Sequence, residues 1–246
     1  MKRKNKDLTL SKRGVKEKRR AKLVSAAFLS PSILGVLVFF IIPFFIIIYY
    51  SLINNPFQAE FVGIENYIKL FNNYSFKQAV RNTALFAAVS VPLAVVLSLL
   101  LAMALNCKIP MQSNLRSFFL SPMMVPVASV VLIWQVLFHY NGTVNGFLEN
   151  FGIEKIDWLK SSHGIWVIVL LFLWKNLGYN MILFLAALNN IPKDILEVAT
   201  VEGAGPVRQF FSIKLRYLSS TILFVTIISL INSFKVFREI YLLSGD

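Results

Sequence analysis

The sequence predicts an all-α fold, a polytopic transmembrane helical bundle, on three observations. Apolar residues make up 57% of the 246 positions, and the mean hydropathy is +0.65. A soluble domain is nearer half apolar. Five long apolar runs occur, at about 24–52, 82–106, 115–138, 164–188 and 219–237, each near the ~20 residues that let a helix cross ~30 Å of hydrocarbon. The runs are continuous rather than alternating, which suits a helix that pairs its own N–H and C=O groups where lipid offers no partner.

A basic leader precedes the first run. Of 25 Lys and Arg residues, eleven lie before position 23: Lys2, Arg3, Lys4, Lys6, Lys12, Arg13, Lys16, Lys18, Arg19, Arg20 and Lys22. Basic residues beside a span are retained in the cytosol and can hold anionic lipid headgroups. Residues 1–23 are therefore expected as a basic cytosolic segment and 24–246 as the membrane domain, with membrane lipids as partners. The net charge of +13 does not indicate nucleic acid, because no stacking aromatics interleave with these charges. A secretory signal would end its apolar core after about 7–15 residues at a small-residue site. This run continues to Tyr49 and Tyr50, so an uncleaved first span is expected.

With the N-terminus inside, the loop near 107–117 and the segment 189–218 fall in the cytosol and carry Lys108, Arg116, Lys193, Arg208, Lys214 and Arg216. The outer loops near 53–80 and 139–163 set Lys69, Lys77, Lys155 and Lys160 against Glu60, Glu65, Glu149, Glu154 and Asp157. That asymmetry fits the positive-inside rule. A short amphipathic element is expected over Tyr67–Phe76.

Pro43, Pro92, Pro122 and Pro126 interrupt the first three runs. Each removes a backbone donor and kinks its helix, either for motion and cavity lining or for kinked packing. His139 and His163 are too few and too far apart in sequence for a metal site, and a single thiol, Cys107, makes no intrachain disulfide. No metal, cofactor or catalytic constellation is expected.

The segment Asn190–Pro206 reads as two short helices and a turn. Asn190 suits a cap, Pro192 an opening turn, and Asp194 and Glu197 the positive end of a helix dipole. Ile195, Val198 and Ala199 make a narrow apolar stripe. Gly203 and Gly205 permit the bend, and Pro206 can start the second helix. Such an element can dock into a partner's groove or rest on lipid headgroups; composition leaves both open.

Glu197-Val-Ala-Thr-Val-Glu-Gly203, with Ile213 and Leu215 downstream, resembles the Glu-Ala-Ala loop of the permease subunits of ABC importers. Glu197, Ala199, Gly203, Ile213 and Leu215 match. Val198 replaces the second motif residue, Glu202 takes a place often held by Asp, and Arg216 stands where a proline normally closes the motif. Val62-Gly-Ile-Glu-Asn-Tyr67, Asn82-Thr83, Phe119-Leu-Ser-Pro122, Ile133-Trp134 and Trp174-Lys-Asn-Leu-Gly178 resemble the carbohydrate-uptake branch.

The resemblance implies a multi-pass protein of the bacterial inner (plasma) membrane with its N-terminus in the cytosol. Its implied partners are a second permease subunit in a heterodimer, a cytosolic ATPase dimer and an extracytoplasmic solute-binding protein. The loop at 192–205 would be the coupling helix, with Asp194, Glu197, Ala199, Glu202, Gly203, Ala204 and Gly205 as its working residues. The family normally has six spans. This chain carries five and reaches Ser244-Gly-Asp246 after the fifth, so the sixth span is expected to be missing.

No Asp or Glu falls within the first four runs or the core of the fifth. Ion-coupled transporters usually place ionisable groups there, so a secondary transporter or channel is the weaker alternative. No Gly-x-x-x-x-Gly-Lys-Ser/Thr loop occurs, which assigns nucleotide binding to a partner. Candidate solute-path residues are Asn176, Tyr179 and Asn180 on the fourth run and Ser229, Asn232 and Ser233 on the fifth. For each, a hydrogen bond between helices is the competing role. Lys175, about ten residues into its run, is expected to face the bundle interior, water or a partner. Trp134, Trp166 and Trp174 suit either packing or interface anchoring.

Overall fold

The computed structural model describes residues 22–107, 111–161 and 163–244. Residues 1–21 of the expected basic segment, and Lys108, lie outside the described residues. By its internal contacts the chain divides into two units, residues 1–77 and 78–246.

In the first unit, α1 (Lys22–Ser51) is a 30-residue apolar helix. A π-turn at Leu37–Ile41 directly precedes Pro43. Proline has no N–H to donate and its ring crowds the carbonyl four residues back, and widening one turn relieves both. The loop after α1 folds back on the helix end. Asn66 Nδ2 donates to the Ser51 and Ile53 carbonyls at 3.0 and 2.8 Å, and the Tyr67 hydroxyl to Ser51 Oγ at 2.7 Å. The Val62–Tyr67 motif thus fastens a loop.

Helix α2 (Glu65–Asn72) carries an exposed Glu65–Lys69 pair at 2.8 Å. The element expected over Tyr67–Phe76 is corrected here: it begins earlier and stops at Asn73, whose backbone is extended. Asn73 Oδ1 accepts the Phe76 N–H at 3.1 Å, so the side chain caps the start of the next helix.

α3 (Tyr74–Asn106) runs 33 residues through Pro92 without a break. The single span expected at 115–138 is instead two helices, α4 (Gln112–Met124) and α5 (Val127–Leu137), bent by 98°. Pro126 is the cause. It drives Val125 into extended backbone (φ −82°, ψ 131°) and cannot donate to continue the ladder. Pro122, by contrast, sits inside α4.

Helix α6 (Thr143–Glu149) lies in the loop that follows, organised by one buried side chain. Asn145 Nδ2 donates to the Tyr140 and Ile156 carbonyls at 2.9 and 2.8 Å. Its Oδ1 accepts from Trp158 Nε1 at 2.9 Å and from the Ile156 N–H at 3.2 Å. His139 and His163 take part in local turns with Asn141 and Ser161.

α7 (Gly164–Asn189) is the central element of the second unit, packing against α4 and against α9 (Pro206–Phe234). Phe184, Met181, Leu218 and Val225 are fully buried where α7 meets α9, and Ala102 joins them from α3. Gly178 sets the α4–α7 distance, since a Cβ there would lie 1.8 Å from the Phe119 carbonyl oxygen. Small residues permit such backbone approach between membrane helices. Two stretches singled out separately in the sequence, around Phe119 and around Gly178, are thus one contact.

A second cluster joins α5, α7 and α10 (Phe237–Ser244). Trp134 is buried and stacks on Phe138 with ring centroids 5.2 Å apart, while Trp166 is exposed. Gln135 Nε2 donates to the Leu242 carbonyl at 2.8 Å, holding α10 against α5. The run expected at 219–237 is therefore cut short. Its helix ends at Phe234 and a separate helix begins at Phe237.

Candidate functional site

Two places in the second unit gather the residues predicted to work: the corner between α7 and α9, and a cavity beside α7.

At the corner, α8 spans Lys193–Val201 with Asp194 in its first turn. Asn190 does not cap it, contrary to expectation. Asn190 closes α7, and Pro192 occupies the α8 cap position with φ −59° and ψ 128°. The expected apolar stripe also splits. Ala199 is buried and Leu196 packs on the bundle core with Ile191 and Phe210. Ile195 and Val198 face outward, as does Val201 at 89% exposure. Glu197 and Glu202 are exposed beside them.

The end of α8 is closed by two reciprocal bonds. Ala204 N–H donates to the Ala199 carbonyl at 2.9 Å and Gly203 N–H to the Thr200 carbonyl at 3.0 Å. This is a Schellman closure, with Gly203 at φ +82° in the left-handed region that glycine adopts without strain. Gly205, in extended backbone, precedes Pro206 at the first position of α9. Sequence reasoning missed Gln209, whose Nε2 donates at 2.9 Å to both Thr200 Oγ1 and the Ala204 carbonyl. It fastens α9 to the end of α8, and one glutamine in a polar stretch gives no periodic signal of such a role. A π-turn at Phe210–Lys214 follows, and α9 then runs unbroken through Arg216. The corner is a rigid knuckle with an outward face of aliphatic and acidic groups.

The predicted solute-path residues divide into two sets. Asn180 and Ser229 are fully buried and bond to each other, Nδ2 to Oγ, at 3.0 Å between α7 and α9. Ser233 is buried and donates to the Leu230 carbonyl at 2.7 Å. It borders a larger cavity of about 620 Å³ with Gln78 and Asn82. Asn176, Tyr179 and Asn232 instead line a cavity of about 400 Å³, together with Lys175, Lys235 and Glu239. Asn232 Nδ2 donates to Asn176 Oδ1 at 3.1 Å, and Asn176 Nδ2 to the Phe172 carbonyl at 2.8 Å.

Lys175 faces this cavity, and its Nζ lies 2.6 Å from Glu239 Oε1 with side-chain exposures of 22% and 14%. The acid that pairs it follows the last apolar run in sequence, and the break at Lys235 brings it back beside the middle of α7. A lining of amides, a phenol and opposed charges can hold a polar, hydroxylated solute.

Residues 94–245 match the family model described as binding-protein-dependent transport system inner membrane component. The chain is 31% identical to the sulfoquinovosyl glycerol transport system permease protein of Agrobacterium fabrum, over 91% of this chain and 75% of that one. It is also 31% identical to the sn-glycerol-3-phosphate transport system permease protein of Pectobacterium atrosepticum, covering 83% and 70%. The same identity holds to the arabinooligosaccharides transport system permease protein of Bacillus subtilis, covering 88% and 70%. The fold resembles that of a bacterial ABC transporter involved in the import of alginate, with a TM-score of 0.79 at 23% identity over 94% of this chain and 80% of that one. The chain belongs to the family of binding-protein-dependent transport system inner membrane components, as a multi-pass permease subunit of an ATP-binding-cassette importer and not an enzyme.

Proposed function

We propose that this permease forms half of the translocation path for a carbohydrate or polyol derivative, and that α8 is its coupling helix. The path is completed by a second permease, cargo arrives from an extracytoplasmic binding protein, and two cytosolic ATPase subunits drive the cycle. The N-terminus and the α8 corner lie in the cytosol. The observation that carries the coupling assignment is the two-sided character of α8. Leu196 and Ala199 hold it to the bundle while Ile195, Val198, Val201 and Glu197 point away from it. A helix gripped on one side and closed at its end by Gly203 and Gln209 transmits a push rather than absorbing it. The cargo class is supported by the relatives, whose named solutes are all sugars or glycerol derivatives, and by the Asn176, Tyr179 and Asn232 lining.

The test uses the reconstituted importer. A cysteine at Val201 should crosslink to the ATPase subunit. Gly203→Asp should insert and assemble yet lose stimulation of ATP hydrolysis by loaded binding protein. Normal uptake by Gly203→Asp, or crosslinks that never reach an ATPase, would remove the coupling assignment. Stimulation by peptides or amino acids but by no carbohydrate would remove the cargo class.

A further inference from the structure

We propose that the cavity beside α7, α9 and α10 is a transit subsite for a hydroxylated solute bearing one anionic group, and that Lys235 is the cation that meets that group. The proposal rests on the importer reading and adds the charge class of the cargo.

Three charged groups line the cavity, Lys175, Lys235 and Glu239. Lys175 and Glu239 are spent on each other at 2.6 Å. Among the described residues no carboxylate lies within 4 Å of the Lys235 ammonium. The lining therefore carries one uncompensated positive charge.

Its neighbours make that charge informative. Lys175 is the twelfth of the 26 residues of α7, roughly 17 Å along the helix at about 1.5 Å per residue. Lys235 borders the same cavity, at the break where α9 has ended and α10 has not begun. An ionisable side chain as far into a span as Lys175 marks a functional site by default, and Lys235 stands exposed on the border of the same cavity. The C-terminal carbonyls of α9 favour a cation there, but they leave its charge without a counter-ion. Broken helices near the midplane are where transporters place solute contacts.

The neighbouring polar groups define the rest of the ligand. With Asn232 Nδ2 and both Asn176 amide atoms engaged, Asn232 Oδ1 and the Tyr179 hydroxyl have no partner among the described residues. These suit sugar or polyol hydroxyls, and the Tyr179 ring offers an apolar face. The volume, about 400 Å³, lies in the range of about 300–1,000 Å³ that holds small molecules. A carboxylate, sulfonate or phosphate on such a solute completes the charge. A lipid headgroup phosphate shares the chemistry, and nanodiscs with and without an anionic lipid separate the two.

The assembled importer in phosphatidylcholine nanodiscs, without ATP, is titrated with radiolabelled galacturonate and with galactose, which lacks the carboxylate. Galacturonate should bind at least tenfold more tightly; the preference should vanish in Lys235→Gln and return in Lys235→Arg. A wild-type preference below tenfold, or one that survives Lys235→Gln, overturns the proposal. Should Lys235→Gln fail to assemble, Lys235→Cys in a Cys107→Ser background is labelled after assembly with cationic or anionic methanethiosulfonate reagents. Equal galacturonate binding to the two labelled forms overturns it as well. If phosphatidylglycerol nanodiscs abolish the preference, the occupant is a headgroup and the solute assignment falls. Because no ATP is present, a failure of ATP-driven uptake counts against the importer reading alone.

Discussion

The ammonium of Lys175 and the carboxylate of Glu239, 64 positions apart in sequence, meet at 2.6 Å and join the middle of α7 to α10. Removing one member of a fully buried pair costs about 3–5 kcal/mol, because the other charge is left unpaired. With partial exposure here the loss should fall below that range. Glu239→Gln is expected to lower the melting temperature of the purified assembly, while Lys175→Met with Glu239→Leu recovers most of it. A double variant as unstable as the single one would show that the pair does more than cancel charge.

Gly178 and Gly146 make a matched test of helix approach. A Cβ on Gly178 would fall 1.8 Å from the Phe119 carbonyl oxygen, whereas one on Gly146 meets nothing within 4 Å. Gly178→Ala must therefore push α4 away from α7 and should sharply reduce folded yield. Gly146→Ala, inside α6, should be neutral or gain up to about 1 kcal/mol from helix propensity. Thermal melts of both variants decide it, and similar melting temperatures would refute the close approach.

Gln209 should govern how stiffly α8 is held. Its amide makes two hydrogen bonds, to Thr200 Oγ1 and the Ala204 carbonyl, each worth a net of about 0.5–1.5 kcal/mol. Gln209→Glu keeps the size but loses the donor. Amide hydrogen exchange over 193–201 should quicken by roughly tenfold, the factor that corresponds to ~1.4 kcal/mol. ATP hydrolysis stimulated by loaded binding protein should fall with it. Unchanged exchange would mean that the Schellman closure alone holds the corner.

How much of this was legible in the sequence depends on how local each cause is. The long apolar run that forms α7 appears where expected because hydrophobic length is a property of consecutive residues. Gly203 was legible too, since a helix that must stop on a left-handed residue favours glycine. The 98° bend at Pro126 was not: Pro92 and Pro122 sit in similar runs without ending their helices, so proline alone does not say where a span breaks. Glu239 was missed because its role arises only after the chain turns at Lys235. The same holds for Asn145, one polar residue among many in its loop until folding brings Tyr140, Ile156 and Trp158 around it.

Asn180 and Ser229 separate a structural from a solute role most cleanly. Both are fully buried, and the 3.0 Å bond between them links α7 to α9. Cross-helix bonds in membranes average ~0.6 kcal/mol and reach about 1.7. A double-mutant cycle with Asn180→Leu and Ser229→Ala should therefore give a stability coupling inside that range. Asn180→Leu alone should cost more, because it forces a branched side chain into a packed seam. Solute preference should stay put, since neither residue reaches the cavity that Asn176, Tyr179 and Asn232 line. A changed preference with intact stability would move the solute path to the α7–α9 seam.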